Sequence, residues 1–231
     1  RVKMAGGELA SASLEAVLSG ANVLAIGDGS SSNWEIFQYV AATLVAPDTY
    51  ELSTRLRGQL GTDGIIPALW PAGSTVVVID RALTQIDLSL SARGLARYYR
   101  IGIASRGIDD PNVVPRVEAF DGIGLRPYPV SHLRASYQFG DLQFNWKRWT
   151  RIVGDSWRAA EVPLGEESEA YQVRVMQNSA VVAEYSTNQP QFTYTAAMQS
   201  LDLIAGEFEV LVAQVSSGFG IGPFRSIAMA V

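Results

Sequence analysis

The last two dozen residues, Phe208 to Val231, alternate apolar and polar positions on either side of a turn built on Gly218, Gly220, Gly222 and Pro223. Successive side chains of a strand point to opposite faces, so period-two alternation around a glycine-rich tip specifies an antiparallel hairpin. A hairpin with one apolar face must bury it against a second layer. Further alternating segments precede it. Leu142, Phe144 and Trp146 share one parity, as do Tyr171, Val173 and Val175. Runs at 133–139, 181–185 and 191–195 bring the total to about seven strands in roughly 100 residues, the count of an immunoglobulin-like sandwich. Trp146 is expected to fill the core between the two sheets.

The closing hairpin, with its Gly-x-Gly-Pro turn, resembles that of a fibronectin type III module, and the resemblance implies a spacer or adhesive unit. Phe208 stands where such modules usually carry a tyrosine whose hydroxyl pins the corner, so packing is kept there and one hydrogen bond is lost.

Residues 121–130, Asp-Gly-Ile-Gly-Leu-Arg-Pro-Tyr-Pro-Val, hold two glycines and two prolines. They can sustain neither helix nor central strand and predict an extended connector. This divides the chain into 1–130 and 131–231. Within the first part, Val23–Ile26, Trp34–Val45, Tyr50–Arg57, Gly73–Asp80 and Tyr98–Ile103 read as strands, with helix an open alternative for the alanine end of the second. Gly73–Asp80, rich in β-branched residues, predicts a buried strand. Residues 8–19 suit either a short helix or an extended segment. The fold class expected is mainly β: an N-terminal β-barrel or sandwich-like domain followed by a fibronectin type III-like sandwich.

Composition narrows function. The 231 residues are 48% hydrophobic and 18% charged, with a net charge of −5, which argues against the basic footprint of a nucleic-acid binder. The absence of cysteine removes disulfides, thiolate metal sites and cysteine nucleophiles. No apolar run nears the roughly 18 residues of a membrane span, and no Asn-x-Ser/Thr site occurs. Sixteen arginines stand against two lysines, Lys3 and Lys147. That bias suits either a protein packed against others, since arginine favours interfaces, or a high-GC genome. The start at Arg1, with no signal-peptide pattern, suggests a piece of a longer polypeptide.

Tyr50 to Asp63 is the most distinctive stretch: a strand runs into Arg57-Gly-Gln-Leu-Gly-Thr62. Gly58 and Gly61 permit a sharp reversal, and Thr62 with Asp63 can bond the turn backbone. Arg55 and Arg57, two apart, project from one face. The order of this corner, the strand Val76–Ile79, the connector Leu125–Pro129, the Trp-rich strand Phe144–Trp149, the segment Pro163–Tyr171 and the final hairpin resembles the C-terminal part of large tail-tip proteins of siphophages and gene transfer agents, the baseplate megatron type. The connector lacks one residue of the family pattern. The resemblance implies a virion or particle component at the tail baseplate, made in the bacterial cytoplasm. It further implies a homotrimer around the tail axis, contacts with hub and distal-tail proteins and with the host envelope, and a glycoside-hydrolase-like barrel upstream in full-length members.

Candidate chemistry is sparse. His132, the only histidine, sits in the connector without a nucleophile-elbow turn. Asp28 and Asp109-Asp110 occupy turn sequences without the spacing of a calcium loop. Glu166, Glu167 and Glu169 share one short loop and read as solvated charge. No catalytic, cofactor or metal residue is therefore assigned, and no cofactor is expected. Trp149, on the parity opposite Trp146, and Trp157, in a loop, are candidate exposed aromatics. With Arg55 and Arg57 they form the set of interface candidates. The alternative to a tail component is an accessory glycan-binding module of a cell-wall-acting enzyme, using Trp149 or Trp157 as a stacking platform.

Overall fold

Antiparallel pairing makes every sheet of the computed structural model, which describes residues 1–152 and 162–230. The mainly-β expectation holds. The chain separates into two units, Arg1–Gly124 and Leu125–Val231. The division falls a few residues before the expected one near 130, because the connector packs into the second unit. Pro127 and Val130 are buried there, and the Tyr128 carbonyl accepts a bond from Gln214 Nε2 at 2.7 Å.

In the first unit, strands β1 (Val2–Lys3), β2 (Val23–Gly27), β3 (Trp34–Ala46), β4 (Thr49–Gln59) and β5 (Thr75–Val78) form one sheet in the order β1-β4-β3-β2-β5. The order is linear, with β1 and β5 at its two edges. Residues 34–46 are strand throughout, since β4 pairs with them to the end of the hairpin, where Ala46 faces Thr49. β5 is an edge strand and only partly buried, contrary to the buried strand expected. Edge position is a matter of pairing, which β-branched composition does not encode.

One face of this sheet carries Leu24, Phe37 and Tyr39 in a core with Leu9, Tyr50 and Leu52. Helix α1 (Leu14–Leu18), capped by Ser13 Oγ accepting from the Ala16 amide, is the only helical part of residues 8–19. Gln38 Nε2 donates to the carbonyls of Val17 and Ala21 at 2.6 and 2.7 Å, satisfying acceptors that a helix end leaves orphaned. A separate ribbon of β6 (Arg97–Ile101) and β7 (Val114–Glu118) completes the unit.

The second unit is a sandwich. β8 (Ser131–Gln138), β9 (Asp141–Lys147) and β12 (Gln191–Tyr194) form one sheet in the order β12-β9-β8. β10 (Tyr171–Gln177), β11 (Ala180–Thr187), β13 (Glu207–Ser216) and β15 (Arg225–Ala230) form the other, in the order β11-β10-β13-β15, with β14 (Gly220–Ile221) adding a short rung on β13. This three-plus-four arrangement of seven main strands is fibronectin type III-like. The core lies between the sheets: Leu142, Phe144, Trp146 and Tyr194 from one face Tyr171, Val173, Val175, Phe208, Val210 and Val212 from the other. Alternation along β9, β10 and β13 puts these residues inward. Trp146 is 3% exposed and meets Tyr171 edge-on at 5.1 Å.

Phe208 packs in the core without a hydroxyl, and the corner bond reappears elsewhere. Helix α2 (Ala196–Leu201) ends at Asp202, and Oδ2 of Asp202 accepts from both Tyr185 and Tyr194 hydroxyls, at 2.5 and 2.7 Å. Two phenols on one carboxylate, Tyr194 buried and Tyr185 partly buried, thus tie β11 and β12 to the segment leading into β13.

Candidate interface sites

The corner after β4 is held by its special backbone. Gly58 has φ +64° and Gly61 φ +79°. A Cβ at Gly58 would lie 2.7 Å from the Asp63 Cα, and one at Gly61 would lie 2.7 Å from the Gly124 Cα. Both positions therefore exclude a side chain by conformation and by space. Thr62 is buried; its Oγ1 donates to the Gln59 carbonyl at 2.7 Å and accepts from the Ile36 amide at 3.0 Å. The hydroxyl pins the turn to the neighbouring strand β3.

Arg57 has a partner within its own unit. Its Nε and Nη2 donate to Oε1 and Oε2 of Glu35 at 2.8 and 2.7 Å. Trp70 Nε1 donates to the same Oε2 at 2.6 Å. The Glu35 side chain is 1% exposed, that of Arg57 35%. Burial pushes the Glu35 carboxyl up, but the bonds from Arg57 and Trp70 outweigh it and hold the group below its ordinary value. The Glu35 bond likewise raises the Arg57 guanidinium, against a smaller desolvation effect. Arg55 and Arg57 are both exposed and line a cleft of about 220 Å³ with Phe37, Leu52 and Trp70. Both arginines keep solvent-facing surface, and Arg57 is in addition the clamp on Glu35. Glu35 was missed at the sequence level. Its signal is an acid in phase with Phe37 and Tyr39 on the core face, which demands a partner.

In the second unit Glu166 and Glu169 are ion-paired and partly buried, whereas Glu167 is exposed, as expected of solvated charge. Arg151 Nη2 meets Glu166 Oε1 at 2.8 Å, and Arg148 Nη1 meets Glu169 Oε2 at 3.0 Å. Tyr171 donates its hydroxyl to Glu169 Oε1, and Ser216 donates its own to Glu167 Oε2. Arg151 also bonds the Leu125 carbonyl and lies over the Phe219 ring at 5.0 Å. Buried Gln214 donates to the carbonyls of Tyr128 and Trp149 and accepts from the Trp149 amide. Together these bonds lock the connector, the chain after β9, the glutamate loop and the hairpin tip at one end of the sandwich. Loop sequence shows charge but not its partners, which here lie up to 49 residues away.

Trp149 is 54% exposed, and its indole rests against the Tyr128 ring at 5.5 Å. Trp157 lies outside the described residues. His132 is exposed, at φ +52°. Asp28 anchors its own turn, accepting from the Ser30 amide and Asn33 Nδ2, and bonds from Ser30 first and Asn33 second lower its pKa to about 2. Asp110 does the same for Asn112. Among the described residues no group of three metal-ligating side chains comes together, and no helix is long and apolar enough to cross a membrane.

Residues 1–77 match the family described as Rcc01698-like, C-terminal. The matched region takes in β1 to β4, the corner and most of β5. No curated protein matches the chain. Among solved structures, the rat CD45 extracellular region d3–d4 aligns at 9% identity over 90% of this chain and 94% of that one, with a TM-score of 0.34. The FN5 domain of Drosophila Lar aligns at 12% identity over 46% of this chain and 96% of its own, with a TM-score of 0.30. The spore cortex lytic enzyme SleM of Clostridium perfringens aligns at 12% identity over 46% of this chain and 28% of that enzyme, with a TM-score of 0.31. The fold assignment above rests on strand order and core, not on these likenesses.

Proposed function

We propose that this chain is a structural segment of a phage-like tail tip or baseplate of the gene transfer agent type. The observation that carries the reading is the match of residues 1–77 to the Rcc01698-like C-terminal family, a name associated with gene transfer agent-like proteins. The attached sandwich supports it: partly buried ion pairs and a contiguous apolar core suit a spacer with loop ends available for contact. On this reading the chain performs no chemical step. It assembles as a homotrimer around the tail axis, touches hub and distal-tail proteins, and stands where the particle meets the host envelope during DNA delivery.

An epitope placed in the exposed turn Asn188–Gln189 tests this by electron microscopy of purified particles. Label at the tail tip is expected. Particles that lack the label, or that form and transduce normally after deletion of the segment, overturn the reading. The half-exposed Trp149 beside Tyr128 favours a second use, glycan stacking as an accessory module. Retention on peptidoglycan that Trp149→Ala abolishes, without tail labelling, would select that alternative.

A further inference from the structure

The β6–β7 ribbon stands apart from the five-stranded sheet and keeps large apolar side chains in solvent. Tyr98 is 87% exposed, and Val117, its cross-strand partner, is exposed with it. Arg100 and Pro115 pair next along that face and are also exposed. An isolated two-stranded ribbon is marginal in water, and a contiguous apolar patch on a monomer usually marks a contact surface. Charge indicates what the contact is. Residues 81–118 carry six arginines and four carboxylates, a net +2, whereas residues 125–231 carry eight basic and ten acidic side chains, a net −2.

The acidic surface that fits lies on the second unit. Glu207 and Glu209 sit two apart on β13, both exposed on the outer face of the four-stranded sheet. Ala230 and Ala228 of β15 and Met176 of β10 lie directly opposite them. The result is a shallow groove of about 630 Å³ with an apolar floor and two carboxylates. Like charges at this spacing repel unless a cation joins them.

We propose that the Tyr98/Val117 face of the ribbon docks into the Glu207/Glu209 groove of a second copy of this chain, with Arg100 bridging the carboxylates. The contact is heterologous, ribbon to sheet, so each copy offers one ribbon and one groove and repetition builds a ring or a filament. It requires only that two copies meet, and stands whether or not the chain belongs to a tail.

Sedimentation of the full purified chain at increasing concentration tests it. Wild type is expected to self-associate, and Tyr98→Asp to remain monomeric with its unfolding midpoint unchanged, since the side chain is in solvent. Arg100→Glu is expected to weaken association about tenfold or more, and Arg100→Glu combined with Glu209→Arg to recover most of it, because like charges across an interface are costly and their exchange restores attraction. A wild-type chain that stays monomeric at about 100 μM, near the weak end of specific contacts, overturns the proposal. So does association that Tyr98→Asp leaves intact, or a charge exchange that recovers nothing, which would point to another surface or another protein as the occupant. Particle labelling can succeed while this experiment fails, and the reverse, so the two readings fall separately.

Discussion

Glu35 and Arg57, 22 positions apart in sequence, face each other from adjacent strands with both carboxylate oxygens bonded to the guanidinium. The acid is buried and the base half in solvent, so the pair is asymmetric: losing the arginine strands a charge, while losing the acid frees a side chain that can reach water. That asymmetry orders the expected effects of substitution.

Arg57→Ala is expected to destabilise the first unit by about 3 kcal/mol, the low end for a broken buried pair because Arg57 is partly solvated. Removing both partners with Glu35→Leu and Arg57→Leu should cost less than the single change. Urea unfolding followed by tryptophan fluorescence gives the comparison, and a single mutant as stable as wild type would show that the clamp contributes nothing.

The same clamp makes stability acid-sensitive. Glu35 has its pKa lowered in the folded unit, so the unfolded chain binds the proton first as pH falls. Its contribution is present above the ordinary carboxyl value of 4.5 and is lost as pH drops below that toward the folded value. Unfolding midpoints at pH 7 and at about pH 3.5, a unit below the ordinary glutamate value, should converge for wild type and Glu35→Gln relative to their separation at neutrality. Parallel pH curves would contradict the assignment.

At the corner, Gly58→Val and Gly61→Val combine positive φ with contacts of 2.7 Å to backbone. Each is expected to cost about 3 kcal/mol or more, the range of substitutions that strain a special backbone position. Thr62→Val, which removes only the hydroxyl bonds to Gln59 and Ile36, should cost about 1–2 kcal/mol. Thermal midpoints in which the threonine change outweighs either glycine change would refute this ranking.

In the sandwich, Trp146→Ala is expected to cost about 3–5 kcal/mol, as core aromatic truncations do. Trp149→Ala, on a half-exposed ring, should cost about 1 kcal/mol or less. Equal losses in denaturant midpoint would mean that the Trp149 ring is structural and leave the stacking alternative without its exposed platform.

Asp202→Ala removes the acceptor shared by Tyr185 and Tyr194. Burial, then the bond to Asp202, raises the Tyr185 hydroxyl to about 12 and Tyr194 also upward. Phenols held neutral stabilise the fold fully below the ordinary value of 10.0, and that contribution is lost as pH rises through the folded values. Ultraviolet titration should show Tyr185 ionising at lower pH in Asp202→Ala than in wild type. An unchanged curve would place the shift on burial alone.

Period-two alternation at Leu142–Trp146, Tyr171–Val175 and Phe208–Val212 determined by itself which faces form the sandwich core, because the side-chain period of a strand is local and survives any choice of partner. Glycine at 58 and 61 likewise marked the corner, since few other residues tolerate that backbone. Tertiary structure alone decided which strands lie at edges, so β5 proved partly exposed. It also decided which charges find partners, joining Arg57 to Glu35, Arg151 to Glu166 and Arg148 to Glu169. Strand neighbours and ion pairs join residues far apart in the chain, and the stabilisation of a buried charge depends on a partner whose position no local pattern records.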